Sequence, residues 1–248
     1  MNEMLGQFRS DAFDGKNILV SGGTSGIGLE IARGLARLGA SVTVTGSSEA
    51  KLAALRSSDE TLSCERLDVT DENAIQSFVA GLPGLDVLIN AAGISRPNQE
   101  YQDEVFMQVM NTNLISAMRL STAALPLLEK TTGSILNVAS MLSYLADATV
   151  PAYCASKSGI LGLTRALAHR YGAKGIRVNA IAPGYHRTAM TKELWDNPKY
   201  ADRIASRTAL KRWGEADDLV GAAVFLSSSA AAYITGACLA VDGGYVVG

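Results

Sequence analysis

Apolar residues follow one another along this chain in two alternating rhythms. Short continuous runs such as Ile18-Leu19-Val20 are followed by stretches in which apolar positions recur every three or four residues. After the first run, Ile27, Ile31, Leu35 and Leu38 stand four, four and three apart, the stripe of an amphipathic helix. The same alternation predicts further strands over residues 41–45, 62–67, 85–90, 134–139, 176–180 and 237–241, seven in all with the first. It predicts helices over 49–56, 71–80, 104–128, 151–171 and 215–226. Strands joined by crossover helices pair in parallel and are covered on both faces, which is why 85–89 and 176–180 are apolar-rich without clean alternation. The expected fold class is α/β: a doubly wound, Rossmann-type, seven-stranded parallel sheet with helices on both faces. A single domain over 1–248 suffices, with an N-terminal extension at 1–13. One long polar excursion, 184–214, interrupts the alternation and reads as a mobile lid over a substrate.

Composition narrows the possibilities. With 248 residues, 48% of them hydrophobic, the chain can fill one sizeable core. A formal net charge of -2 and the lack of any basic run give no electrostatic footprint for nucleic acid. Cys64, Cys154 and Cys238 are odd in number and far apart, and His169 and His186 lack ligand spacing to them, so neither a disulfide framework nor a metal site is expected. The first fifteen residues carry no apolar segment of leader length, and no uninterrupted apolar stretch reaches about 18 residues. The expectation is a soluble, cytoplasmic protein with no membrane partner.

Two motifs carry chemistry. Ser21-Gly22-Gly23-Thr24-Ser25-Gly26-Ile27-Gly28 joins the first strand to the first helix. Glycines there let the backbone turn sharply and approach a ligand, and the free amides at a helix start suit a pyrophosphate. A dinucleotide site is the natural reading, although the spacing is not that of the standard fingerprint and the turn also suits a connection that merely needs positive φ; no Gly-Lys-Ser or Gly-Lys-Thr closes it, which excludes a P-loop. The second motif, Tyr153-Cys154-Ala155-Ser156-Lys157, places a phenol and an ammonium on one helix face. A neighbouring positive charge would lower the phenol pKa and make Tyr153 a general acid or base. Alone, the pair also suits a half-exposed tyrosine beside a solvated lysine.

Together these residues resemble the classical short-chain dehydrogenase/reductase family over nearly the whole chain. The cofactor turn matches with Ser21 in place of the family's threonine, which keeps the hydroxyl. Asn90-Ala91-Ala92-Gly93, Asp68-Val69 and Pro183-Gly184 match further family motifs. The resemblance implies an NAD(P) site formed by Gly22, Thr24, Ser25, Gly26, Ile27, Gly28, Ser47, Ser48, Asp68, Val69, Asn90, Ala91, Gly93, Tyr153, Lys157, Pro183, Gly184, His186 and Thr188. Within it, Asp68 would meet the adenine edge, Asn90 the ribose or its supporting strand, and Thr188 the carboxamide. It also implies a catalytic tetrad of Asn113, Ser140, Tyr153 and Lys157. Tyr153 would move the proton, Lys157 lower its pKa, Ser140 orient the substrate oxygen, and Asn113, in preference to Asn111, anchor a relay to Lys157.

The second strand ends in Gly46-Ser47-Ser48, with Gly46 where NAD-using members of the family place aspartate and Ser47 where many NADP-using members place arginine. Nothing there repels a 2′-phosphate, so the balance tips slightly toward NADP. Met141, Leu142, Tyr144, Leu145, Tyr185, His186, Trp195 and Tyr200 are candidates to shape a small alcohol or carbonyl substrate, His186 either by a polar contact or as a solvated ring. The expected activity is hydride transfer between nicotinamide and a secondary alcohol or ketone. Two alternatives stand beside it: a 3-oxoacyl-carrier-protein reductase, and a non-catalytic dinucleotide sensor. The family resemblance further implies a homotetramer.

Overall fold

The computed structural model describes residues 5–248. Seven parallel strands form one sheet in the order β3-β2-β1-β4-β5-β6-β9. They are β1 (Asn17–Ser21), β2 (Ser41–Gly46), β3 (Leu62–Arg66), β4 (Val87–Asn90), β5 (Ser134–Val138), β6 (Arg177–Pro183) and β9 (Cys238–Val241). The order runs outward in both directions from β1 and β4, so consecutive crossovers on either side of that pair lie on opposite faces. Helices α1 (Gly26–Ala36), α2 (Glu49–Ser58), α3 (Glu72–Ala80), α4 (Asp103–Met110), α5 (Ser116–Thr131), α6 (Pro151–Tyr171) and α9 (Val220–Ser227) supply the cover.

Strand periodicity sorts the core into two halves. Ile18 and Val20 of β1 face a cluster with Ile31 and Leu35 of α1, Leu52 and Leu55 of α2, and Val220 and Val224 of α9. Leu19, between them, faces Ile75 and Val79 of α3, Leu120 and Leu128 of α5, and Leu167 and Tyr171 of α6. Both faces of each central strand are therefore apolar. The same pattern holds at the amino end: Leu5 and Phe13 are buried in the first cluster, and the Phe13 amide donates to the Leu38 carbonyl at 2.8 Å. Residues 5–13 thus pack as part of the domain and do not extend from it; residues 1–4 of the expected extension lie outside the described residues.

Two expectations need correction. The helix expected over 104–128 is not continuous, because a π-helical turn at Asn111–Ile115 separates α4 from α5. The excursion at 184–214 is structured: short strands β7 (His186–Arg187) and β8 (Gly214–Glu215) pair across its base and enclose α7 (Lys192–Trp195) and α8 (Pro198–Arg207). Ile204 of α8 packs with Met141, Trp213 and Tyr245, and the Trp213 indole donates to the Ala201 carbonyl at 3.0 Å. Apolar residues spaced too widely in sequence to show a period meet here in a small core of their own.

The first crossover helix rests on α9 through a missing side chain. A Cβ at Gly34 would lie 2.2 Å from Val220 Cγ1, which is fully buried, whereas a Cβ at Gly162 on α6 would meet nothing within 4 Å. Overpacking costs ~1–3 kcal/mol and the Gly-to-Ala propensity gain is up to ~1 kcal/mol. Gly34→Ala is therefore expected to destabilise by about 1–2 kcal/mol and Gly162→Ala to stabilise by up to about 1 kcal/mol. Denaturant unfolding of both variants checks the sign of each.

Candidate active site

The carboxyl ends of β1, β2, β4, β5 and β6 open into a cleft of ≈ 570 Å³ at the point where strand order reverses. Its floor is the turn between β1 and α1. Gly22 has φ +78, and a Cβ there would strike the Ala92 nitrogen at 2.5 Å; a Cβ at Gly28 would strike the Gly22 carbonyl oxygen at 2.4 Å. Only glycine lets this loop close down on the β4 loop. Ser25 stands at the N-cap of α1 without a capping hydrogen bond from its side chain, and the first turn holds no acid. The amides at the start of α1 are consequently unshared with any cap and face the cleft as an anion cradle. The donor set fits a dinucleotide pyrophosphate.

At one end of the cleft lie Gly46, Ser47, Ser48, Asp68 and Val69. Asp68 Oδ1 accepts from both the Thr70 amide (2.9 Å) and the Thr70 hydroxyl (2.7 Å), and these bonds hold its carboxyl below the usual carboxylate range. Lys51, on the first turn of α2, also lines this end. It is not among the residues expected from the sequence; a lysine four residues past Ser47, where a helix begins, was the available signal. With no carboxylate at Gly46 and an ammonium beside two hydroxyls, this end is chemically suited to a 2′-phosphate.

At the other end the expected tetrad converges. Ser140, Tyr153 and Lys157 line the cleft, while Asn113 is buried just behind it. A Cβ on Gly93 would sit 3.6 Å from both Asn113 Oδ1 and Lys157 Nζ, so all three meet at one point. The π turn gives Asn113 this position. Its Oδ1 accepts from the Ile94 amide at 2.8 Å, and its Nδ2 donates to the Ile94 carbonyl at 3.0 Å and to Ser156 Oγ at 3.1 Å. Lys157 Nζ donates to the Val138 carbonyl at 2.7 Å and lies 5.6 Å from the centre of the Tyr153 ring. Ser140 caps the short turn after β5, its Oγ accepting from the Leu142 amide at 3.1 Å.

The electrostatics differ from the expectation. Burial pushes the Tyr153 phenol up to about 12, with a hydrogen bond to Ser140 pulling the other way. Burial likewise brings Lys157 down to about 8. The expected lowering of the phenol pKa is therefore not what this geometry produces, because desolvation penalises both charged forms.

Thr24, Ser25, Gly26, Ile27, Ala91, Pro183, Gly184 and Thr188 all line the cleft as expected. Asn90 does not. Its Nδ2 donates to Asn137 Oδ1 at 2.8 Å and Ser121 Oγ at 3.2 Å, which makes it a tie between strands β4 and β5 beneath the cleft. His186 lines the cleft but is not solvated: the ring is 3% exposed and stacks on Gly214, where a Cβ would strike it at 2.5 Å. Its Nδ1 lies 3.1 Å from the Gly184 carbonyl, which can only accept, so Nδ1 carries the proton. Burial lowers its pKa and so favours the neutral ring. Of the proposed substrate residues, Met141, Leu142, Leu145, Tyr185 and Trp195 belong to the core under α8. Tyr144 and Tyr200 are exposed and do not line the cleft. Ile94, Arg96, Gln108, Thr112 and Met190 line the cleft instead.

A family model described as enoyl-(acyl carrier protein) reductase matches residues 22–246. Gluconate 5-dehydrogenase of Gluconobacter oxydans (strain 621H) is 37% identical, covering 95% of this chain and 96% of the relative. The chain belongs to the classical short-chain dehydrogenase/reductase family. A 2-dehydro-3-deoxy-D-gluconate 5-dehydrogenase of Bacillus subtilis (strain 168) is 40% identical over 95% of this chain and 97% of its own length. The crystal structure of a gluconate 5-dehydrogenase from Burkholderia cenocepacia J2315 in complex with NADP and tartrate superimposes with a TM-score of 0.88 at 34% identity, covering 96% of this chain and 98% of that one. This short-chain dehydrogenase/reductase is accordingly an NAD(P)-dependent oxidoreductase acting on CH–OH groups, with a lean toward NADP.

Two substitutions test that lean. Lys51→Ala is expected to raise KM for NADP about tenfold, the effect of one charge-assisted hydrogen bond, and to leave KM for NAD unchanged. Gly46→Asp should move the kcat/KM ratio toward NAD, with Thr24, whose Cγ2 and Oγ1 lie 2.8 and 2.9 Å from the new Cβ, shifting to make room. An unchanged ratio in both variants removes this end of the cleft from cofactor choice.

Proposed function

We propose that this dehydrogenase interconverts a secondary hydroxyl and a ketone on a sugar acid, with NADP as hydride carrier and Tyr153 as general acid and base. The observation that carries the substrate class is Arg96. Among the described residues three cations line the cleft: Lys51 at the adenosine end, Lys157 in the tetrad, and Arg96 on the loop after Gly93. Arg96 is the one left to meet an anionic substrate, and its guanidinium can take a carboxylate in a bidentate grip. Gln108 and Thr112 add uncharged hydrogen-bonding groups that suit hydroxyls. The names of the relatives, and the tartrate in the B. cenocepacia structure, support the same class.

Bound nicotinamide supplies or accepts the hydride. The chain's own residues handle the proton and the geometry. Ser140 Oγ accepts the Leu142 amide, and its hydrogen, which the Tyr153 oxygen accepts in the free enzyme, can turn to orient the reacting oxygen. Tyr153 moves the proton to or from that oxygen. Reduction needs the protonated phenol, and a pKa near 12 keeps it protonated throughout the neutral range. Oxidation needs the phenolate, whose share rises tenfold per pH unit below that value. Lys157, held by Val138, presents its ammonium beside the phenol and toward the ribose side of the cleft.

A homotetramer is the assembly we infer. Leu239 is 42% exposed on the edge strand β9, with Tyr233 and Val247 exposed nearby in the chain, and Met107 and Met118 are exposed on α4 and α5. Apolar exposure along a sheet edge and a helix pair suits burial against further copies. Light scattering is expected to give four times the chain mass; a species at the monomer mass overturns the assembly.

The activity is tested by absorbance at 340 nm with aldonates, ketoaldonates, neutral polyols and a 3-oxoacyl thioester. Ketoaldonate reduction with NADPH is expected, falling about 10²–10⁴-fold in Tyr153→Phe. Oxidation is expected to rise with pH from about 7 to 9 while reduction does not, the signs following from the protonation states above. Arg96→Ala should raise KM for the acid at least about tenfold and leave neutral polyols unaffected. Preference for the thioester would replace the sugar-acid reading, and nucleotide binding without turnover on any compound would replace catalysis with sensing.

A further inference from the structure

Among the described residues only two of the formally charged Asp, Glu, Lys and Arg side chains are buried: Lys157 and Glu100. They do not pair with each other. Lys157 is committed to the Val138 carbonyl. Glu100, which is 0% exposed, has no ion pair among the described residues, and a carboxylate buried without a counter-charge must be held by several hydrogen bonds. Its partners are specific. Oε2 accepts from the backbone amide of Tyr153 at 2.8 Å. Oε1 accepts from the amide of Arg96 at 2.8 Å and, weakly, from Ser95 Oγ at 3.4 Å.

Each of those contacts sits at a functional point. α6 begins at Pro151, so Tyr153 is its third residue, and the N-cap residue Val150 offers no side-chain acceptor. The third amide of a helix is the one an N-cap side chain ordinarily satisfies. Here a carboxylate arriving from fifty-three residues upstream does so, where the positive end of a 21-residue helix favours negative charge. The other oxygen fixes the loop that carries Arg96. A second tie reinforces the first: Asn98, in the left-handed region at φ 63, donates its amide to the Thr149 carbonyl at 2.8 Å, just ahead of α6. Loop 95–100 and the start of the catalytic helix therefore move as one piece.

We propose that Glu100 is a positioning residue, a buried carboxylate that fixes the spacing between Arg96 and Tyr153 and hence the place of the reacting carbon relative to the proton donor. The Arg96 half rests on the sugar-acid reading above; the Tyr153 half does not. Glu100 also acts on the phenol through charge, since a carboxylate in the wall disfavours the phenolate. The other titratable or charged groups near that phenol are Lys157 and Cys154 on its own helix, His186 on β7 and Arg96 across the cleft, while Asp103 and Glu104 on α4 face solvent.

Two variants separate position from charge. Glu100→Gln keeps the length but has one acceptor oxygen for two amides and no charge; Glu100→Asp keeps the charge but is one methylene short of spanning both. In both, kcat should fall about tenfold or more, as for any misplacement of reacting groups. The alkaline limb of oxidation should move down by about half a pH unit or more in Glu100→Gln, and stay in place in Glu100→Asp. Thermal unfolding run alongside gives the folded fraction, and if Glu100→Gln does not fold, Glu100→Asp carries the test through kcat alone. With any alcohol the enzyme oxidises, kcat within twofold of wild type in a folded variant, or the same limb in folded Glu100→Gln as in wild type, overturns the proposal. Should the oxidised alcohols prove to be uncharged, the limb shift still tests the Tyr153 half, so failure of the sugar-acid reading is seen separately.

Discussion

The hydrogen bond from Lys157 Nζ to the Val138 carbonyl is the contact on which the site depends, because it joins the catalytic helix to the end of a central strand. β5 is buried along its whole length between β4 and β6, and its last residue, Val138, is held in register with Ile181 of β6. An ammonium anchored there cannot drift with its flexible stem. Tyr153, one turn earlier on the same helix, inherits that placement. Burial of both groups then sets their protonation: a phenol that stays protonated and an ammonium whose pKa falls to about 8.

The remainder of the site is brought to this contact by strand order. In a parallel sheet every strand ends on the same edge, and the reversal between β1 and β4 leaves a gap there that no crossover covers. The glycine turn after β1 fills one side of that gap with uncapped amides, and Gly93 after β4 lies beside both Asn113 and Lys157. The π turn at Asn111–Ile115 is the local irregularity that makes this possible. An uninterrupted α-helix would direct Asn113 elsewhere, and its amide side chain is held in place by one hydrogen bond that it accepts and two that it donates.

Much of this was legible in the amino-acid sequence because it is written in periodicity and in glycine. The seven strands, their parallel pairing and the α6 boundaries, Pro151–Tyr171, follow from apolar runs and stripes. What escaped has a common cause. The π turn breaks no pattern, since Asn111 to Ile115 remain compatible with an amphipathic helix. The structured lid has its apolar contacts in Trp213 and Tyr245, outside or at the end of the segment itself. Arg96, Lys51 and Glu100 are common charged residues in loops and first turns, and only tertiary packing distinguishes them from solvated neighbours. His186 was misjudged for the converse reason: its burial depends on a glycine twenty-eight residues away.

The central claim is that the turn after β1 and the Tyr153–Lys157 face of α6 serve one bound dinucleotide. A crystal structure with NADP tests it directly. The pyrophosphate is expected on the amides at the start of α1, the 2′-phosphate beside Ser47, Ser48 and Lys51, and the nicotinamide facing the Tyr153 hydroxyl. A dinucleotide whose nicotinamide points away from Tyr153, or one bound outside this cleft, would contradict it.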